Sequence, residues 1–198
     1  MTRSGSGPVA VVAKASRAHA MPPEERRMMI VAATLPLLLE NGEMVTTRQI
    51  ADAAGIAEGT IFRAFADKDA LIAAVVDAAL DTAPLEQALR GIDGGKSLED
   101  DVLAAATILQ QRVVDVWRLV SSIGPRLHDH ARRPAVDSDA LVTLFAGHRA
   151  RLRVEPVVAA RLLRALTMSV THPMLAGEPM SPPEIVQLFL HGVGAASC

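Results

Sequence analysis

Residues 45–80 read VTTRQIADAAGIAEGTIFRAFADKDALIAAVVDAAL. Thr46 or Thr47 is placed to cap a short helix, because a threonine oxygen accepts from the free amides of a first turn. Ile50, Ala51 and Ala54 form the buried side of that helix. Gly55 supplies the backbone freedom for a tight turn, and a second short helix follows from about Ala57 to Ala64. Ile50, Ala54, Ile56, Ile61 and Phe65 join the two in a miniature core, and the small side chains of Ala51 and Ala54 allow a close crossing. Short helix, glycine corner and short helix with this apolar spacing is the helix-turn-helix pattern, whose second helix enters a DNA major groove. A longer helix then opens at Asp67, with Lys68 in its first turn, and runs through Leu71, Ile72, Val75, Val76 and Leu80 to about Thr82.

Working outward, a helix is expected from about Glu24 to Glu40, with Ile30, Ala33, Leu37 and Leu38 on one stripe and Asn41-Gly42 as its stop. Pro36 removes one backbone hydrogen bond inside it, so a bend is expected there. Residues 1–23 carry Arg3, Lys14 and Arg17 and no acid, and read as a flexible basic arm, either without a role or lying along DNA. Downstream, a break at Pro84 and a loop around 91–95 precede a long helix from Ser97 to Ser122. Val102, Ala106, Leu109, Val113, Val116 and Val120 make its apolar stripe, with Arg112, Asp115 and Arg118 facing outward. After a loop containing Pro125 and Arg132-Arg133-Pro134, Asp137 opens a helix of about fifteen residues to Leu152; Pro156 starts another, ending near His172-Pro173 or slightly beyond, at Gly177. Ser181-Pro182-Pro183-Glu184 opens the last helix. The fold is therefore read as all-α: an N-terminal three-helix helix-turn-helix domain over 24–71 and a helical ligand-binding and dimerisation bundle over 72–198.

The 198 residues are 50% hydrophobic but only 3% aromatic, too few rings for an RNA-stacking sheet. A net charge of −2 argues against coating nucleic acid non-specifically while leaving room for a small DNA-reading surface. The single cysteine, Cys198, allows no intrachain disulfide and no cysteine-based metal site. No apolar run reaches the roughly 18–20 residues that span a bilayer, so a cytoplasmic protein with no membrane partner and no cofactor is expected. An enzyme is disfavoured: Ser121, Ser122, His128 and Asp129 lack a G-x-S-x-G elbow, and the adjacent His128, Asp129 and His130 cannot all face one ion. A helical protein-binding adaptor is the other class considered.

Residues 26–82 resemble the DNA-binding domain of the tetracycline-repressor (TetR/AcrR) family of bacterial transcription regulators. Thr47, Ile50, Ala51, Ala54, Gly55, Gly59, Thr60, Phe65 and Lys68 fall at that family's spacing, nine positions within 22 residues. The rest of the chain is similar only loosely, as an effector and dimerisation domain. The resemblance implies that Thr47 contacts a phosphate at a helix N-terminus and that Arg48 reaches a guanine edge. It places Glu58, Gly59, Thr60, Phe62 and Arg63 on the recognition helix, and Lys68 on a phosphate. Phe62 stands where the family often has Tyr, and Ala64 where it often has His or Tyr, so donors are few and the resemblance implies modest affinity with steep salt dependence. Thr47 and Thr60 can also be plain caps, Phe62 can also be plain core, and the three cations can also be solvated charges.

A regulator of this kind implies a palindromic operator, a homodimer and a small apolar effector, with repression by occupancy. Leu109, Val113, Trp117, Phe145, Met168, Thr171 and His172 are the pocket candidates, each also readable as core. In the last helix Ile185, Leu188, Phe189 and Gly192 lie on one apolar stripe beside a second one. That arc is too wide for one neighbour, so these four are the expected dimer contacts.

Overall fold

The computed structural model describes residues 21–94, 97–123 and 137–193, which form helices and turns. Helix α1 spans Pro23–Asn41, α2 Thr47–Ala54, α3 Glu58–Ala64 and α4 Lys68–Leu80. Then follow α5 (Ala83–Arg90), α6 (Leu98–Ser122), α7 (Asp139–Gly147), α8 (Pro156–Thr171) and α9 (Pro182–Val193). Single 3-10 turns cover Gly42–Met44 and Arg149–Arg151.

The N-terminal domain forms as its pattern predicts. Helix α1 continues through Pro36 and ends at Gly42, whose φ of +56° and ψ of −143° suit glycine alone. Its buried positions are Ile30, Thr34 and Leu38; the Thr34 hydroxyl satisfies itself on the Ile30 carbonyl at 2.7 Å. Asp67 caps α4, accepting from the Ala70 amide. These four helices share one core, with Ile30, Ile50, Ile61, Phe65, Leu71 and Val75 among its members. Leu119 and Ile123, at the far end of α6, also enter this core. Leu71, Ile72, Val75 and Val76 all belong to it, so α4 is buried in the N-terminal core, chiefly against α1 and also against α6.

A second core unites α5 to α9 around Val102, Leu109, Leu141, Phe145, Leu163 and Phe189. Three expectations here need correction. Residues 83–90, read as a break at Pro84, are helical because Pro84 sits in the first turn, where its missing N–H costs nothing. The fifteen-residue helix from Asp137 is shorter: Ser138 caps it through the Leu141 amide, α7 stops at Gly147, and the chain tightens into a 3-10 turn. Arg112 does not face freely outward either; it is half-buried and donates to the Asp81 carbonyl at 3.0 Å, tying α6 to the end of α4. Burial pulls its guanidinium below the ordinary value against the opposing pull of Asp115 and Asp81. Apart from 21–23, the basic arm lies outside the described residues, as do Pro125, His128, Asp129, His130, Arg132, Arg133, Pro134 and Cys198.

Candidate nucleic-acid interface

Thr46, not Thr47, caps α2: its Oγ1 accepts from the Gln49 amide, and Gln49 Oε1 accepts from the Thr46 amide at 2.8 Å. This capping box fixes the start of the motif. Its corner is Gly55, left-handed at φ +66° and ψ +34°, after which the Ile56 amide donates back to the Ala51 carbonyl at 3.0 Å. Helix α3 then leaves the corner with Ile61 and, just past its end, Phe65 buried.

What α3 keeps outside is the candidate reading face. Gly59, Phe62 and Arg63, at i, i+3 and i+4, are exposed, with Phe62 at 51%. Phe62 is therefore not core; Phe65 fills that role. A Cβ placed on Gly59 meets nothing within 4 Å, so no atom of the chain itself calls for glycine there. Thr60 is half-buried, and Arg48, on α2, is exposed. The Thr47 hydroxyl donates to Glu58 Oε1, joining the first turns of α2 and α3. Lys68 Nζ donates to the Glu43 carbonyl, holding the 3-10 turn before α2 against the start of α4.

One further residue of this surface escaped the sequence reading. Arg27 of α1 lies with its guanidinium 4.1 Å from the centre of the Phe65 ring and donates to the Ala64 carbonyl at 2.7 Å. The signal was present: residues 27, 30, 34 and 38 share one helical stripe, so Arg27 extends the buried side of α1 by a turn.

Residues 30–75 match the sequence family described as bacterial regulatory proteins, tetR family. Residues 30–75 are a tetR-family domain. No curated protein matches the chain by sequence. Among solved structures, a candidate TetR-family transcriptional regulator from Mesorhizobium loti aligns with TM-score 0.60 at 14% identity, covering 88% of this chain and 100% of that one. Reduced NemR of E. coli aligns with TM-score 0.55 at 18% identity over 86% of this chain and 98% of its own. SmeT, the repressor of the SmeDEF multidrug efflux pump of Stenotrophomonas maltophilia, gives 0.54 at 20% over 86% and 91%. At these identities the likeness is one of fold, and it extends from the tetR-family domain through the C-terminal bundle.

Within that bundle the structure places the seven pocket candidates as follows. Leu109, Phe145 and Thr171 are buried in the second core, and Thr171 Oγ1 accepts from Gln110 Nε2 at 3.2 Å. Trp117 meets His172 edge-on at 4.4 Å, and His172 Nδ1 accepts from the Met174 amide. Val113 is half-buried, while Met168 is 43% exposed on the outer side of α8. Two cavities, of about 560 and 310 Å³, are walled by other residues.

The expected dimer contacts divide similarly. Ile185 is 0% and Phe189 2% exposed within the single chain, and the Phe189 ring packs 5.7 Å from that of Phe145. The wide apolar arc of α9 is covered by two neighbours of its own chain, α6 and α8, so these two residues are core. Leu188 is 48% exposed, and the surroundings of Gly192 lie outside the described residues. Among the described residues no helix is long and apolar enough to cross a membrane.

Proposed function

We propose that this protein is a homodimeric, ligand-responsive transcription regulator that occupies a palindromic operator in the cytoplasm and represses by that occupancy. The exposed Gly59, Phe62 and Arg63 face of α3 carries this reading, because the capping box, the Gly55 corner and Arg27 all fix the helix that presents it. Arg48 and Arg63 reach base edges or phosphates, Thr60 and Phe62 meet thymine methyls or sugars, and Gly59 permits close approach. Thr47 and Lys68 serve the phosphate backbone once released from Glu58 and Glu43, and Glu58 accepts only from a cytosine amino group.

Dimerisation is supported by a row of exposed apolar side chains, Val158, Leu162 and Met168 on α8 beside Leu188 on α9. A dimer reads half-sites about 34–36 Å apart, so a small change in the separation of the two α3 helices abolishes simultaneous docking. Helix α6 spans both cores, its own Leu119 and the following Ile123 entering the first, and supplies a rigid route from an effector in the bundle to the DNA reader.

Mobility shifts on duplexes flanking the protein's own gene test the reading. Retarded, salt-sensitive complexes are expected, and Arg48→Ala weakens specific binding by roughly 1–3 kcal/mol while relaxing specificity at one base pair. A chain that ignores every such duplex at low ionic strength rejects it.

A further inference from the structure

Two exposed residues at one edge of α3 have chemistries that a phosphate backbone does not use. Glu58 and Phe62 stand four residues apart, so they share a helical edge with about 5–6 Å between Cβ atoms. Phe62 is 51% exposed, while Ile61 and Phe65 fill the core. Its ring has neither donor nor acceptor and gains nothing from a phosphate. Glu58 is anionic and repels one. The Thr47 hydroxyl donates to Glu58 Oε1, which fixes the carboxylate on this edge; the second carboxylate oxygen is a further acceptor.

In a major groove these two demands meet on one base. Cytosine presents an amino donor at C4, which a carboxylate accepts, and a methyl group at C5 is what an apolar side chain meets. Of the common bases of DNA, 5-methylcytosine alone carries both, on neighbouring ring atoms. Thymine has the methyl group, but beside it stands a carbonyl oxygen that a carboxylate opposes. Unmodified cytosine has the amino group and leaves the phenyl ring facing water.

We propose that Glu58 and Phe62 form a site for 5-methylcytosine, so that this protein binds a duplex methylated at cytosine in preference to the same duplex unmethylated. Glu58 takes the amino group and Phe62 covers the methyl group. Gly59, with open space where a side chain would stand, lets the base edge approach. The proposal rests on the DNA-binding reading of α3 and narrows the apolar partner of Phe62 to one base.

Binding-site selection with the full chain tests it, using two random duplex pools at low salt, one of them amplified with 5-methyl-dCTP in place of dCTP. The expected result is a consensus from the methylated pool with 5-methylcytosine at a fixed place in each half-site. In duplexes synthesised to that consensus, cytosine at one such place should weaken binding about fourfold, the worth of one buried methyl group. Thymine paired with adenine there should weaken it about tenfold. Phe62→Ala should erase the difference between 5-methylcytosine and cytosine. Glu58→Gln, whose amide both donates and accepts, should erase the difference between 5-methylcytosine and thymine. Both side chains are exposed, and circular dichroism checks that the variants keep their helices. If neither pool yields a bound duplex, the DNA-binding reading falls and this proposal with it. If duplexes are bound but cytosine equals 5-methylcytosine at every place, thymine is preferred, or the variants keep the native preferences, this proposal alone is overturned.

Discussion

Arg27 closes the end of α3: its guanidinium donates to the Ala64 carbonyl at 2.7 Å while lying over the next side chain, Phe65. The last carbonyls of a helix have no intrahelical partner, and a cation there satisfies one of them with charge of the favourable sign. Because Arg27 belongs to α1, this contact also sets the angle at which α3 leaves the domain. Arg27→Met keeps the stem and loses both contacts, and should cost about 1–3 kcal/mol. The urea midpoint should fall with an unchanged slope. DNA affinity should fall under conditions where the variant is still fully folded. Arg27→Lys, a point charge without the planar plate, should recover only part of both. A native midpoint for Arg27→Met would show the contact to be idle.

The two left-handed glycines make a contrast that sterics alone decides. At Gly55 a Cβ meets nothing within 4 Å, so substitution is felt only through the backbone, at φ +66° and ψ +34°. Gly55→Ala should cost about 1–2 kcal/mol, and Gly55→Asn less, since asparagine visits that region readily. At Gly42 the added Cβ would lie 3.0 Å from the Ser122 carbonyl, and ψ of −143° is closed to asparagine as well. Both Gly42→Ala and Gly42→Asn should therefore exceed the Gly55 variants in loss of thermal midpoint. Equal losses at the two sites would refute the backbone assignment.

These contrasts follow how legible the chain was. The helix-turn-helix could be read because every cue is local: a capping threonine, a glycine corner and apolar residues at helical spacing within one stretch. Pro84 misled because a proline that stops one helix and a proline that starts another look alike until the next turn packs. Ile185 and Phe189 misled for a different reason. A doubly apolar helix must be covered twice, but sequence periodicity does not say whether the cover is a second subunit or, as here, α6 and α8 of the same chain. Which pocket candidates are core could not be read, because apolar residues that line a cavity and apolar residues that fill one have the same pattern. The contacts of Asp101 and Gln110 could not be read from the sequence, since their partners His148 and Thr171 lie 47 and 61 residues away.

The Thr47–Glu58 hydrogen bond bears on how tightly any duplex is held. On the proposed reading, Glu58 adds negative charge to the DNA-facing side and occupies the Thr47 hydroxyl, which would otherwise be able to donate to a phosphate. Glu58→Gln removes the charge while leaving an acceptor for Thr47. Affinity for a random-sequence duplex should rise by about 1 kcal/mol at low salt, with the gain shrinking as salt is added. An affinity that is unchanged at every salt concentration would place Glu58 off the DNA.

The start of α9 predicts an acid-sensitive feature. Both the hydroxyl and the amide of Ser181 donate to Glu184 Oε2, at 2.6 and 2.8 Å, and the hydroxyl chiefly holds the Glu184 carboxyl below its ordinary value. Arg161, in a two-pronged contact with Asp137 at 2.6 and 2.8 Å, does the same for that carboxyl. A depressed carboxyl contributes stability that is complete above its unfolded value, near 4.5 for Glu184, and that is lost as pH falls through the lower folded value. Thermal midpoints should thus decline below about pH 4.5, and Glu184→Gln should flatten that decline. A variant that parallels the native chain across the acid range would count against the cap.

Adjacent positions on α9 separate assembly from folding. Leu188 is 48% exposed, whereas Phe189 is 2% exposed and packs against Phe145. A charge at 188 leaves the core intact yet cannot be buried in an apolar interface without a partner. Leu188→Asp, or Leu162→Asp on α8, should therefore yield folded monomers in sedimentation experiments, with helical content retained. These monomers should lose cooperative binding to a two-half-site duplex. Phe189→Ala should instead lower stability by about 3–5 kcal/mol, the usual cost of emptying an aromatic core position. If Leu188→Asp and Leu162→Asp both remain dimeric, the subunits meet elsewhere; if Phe189→Ala dissociates the dimer without loss of stability, the core assignment of α9 is wrong.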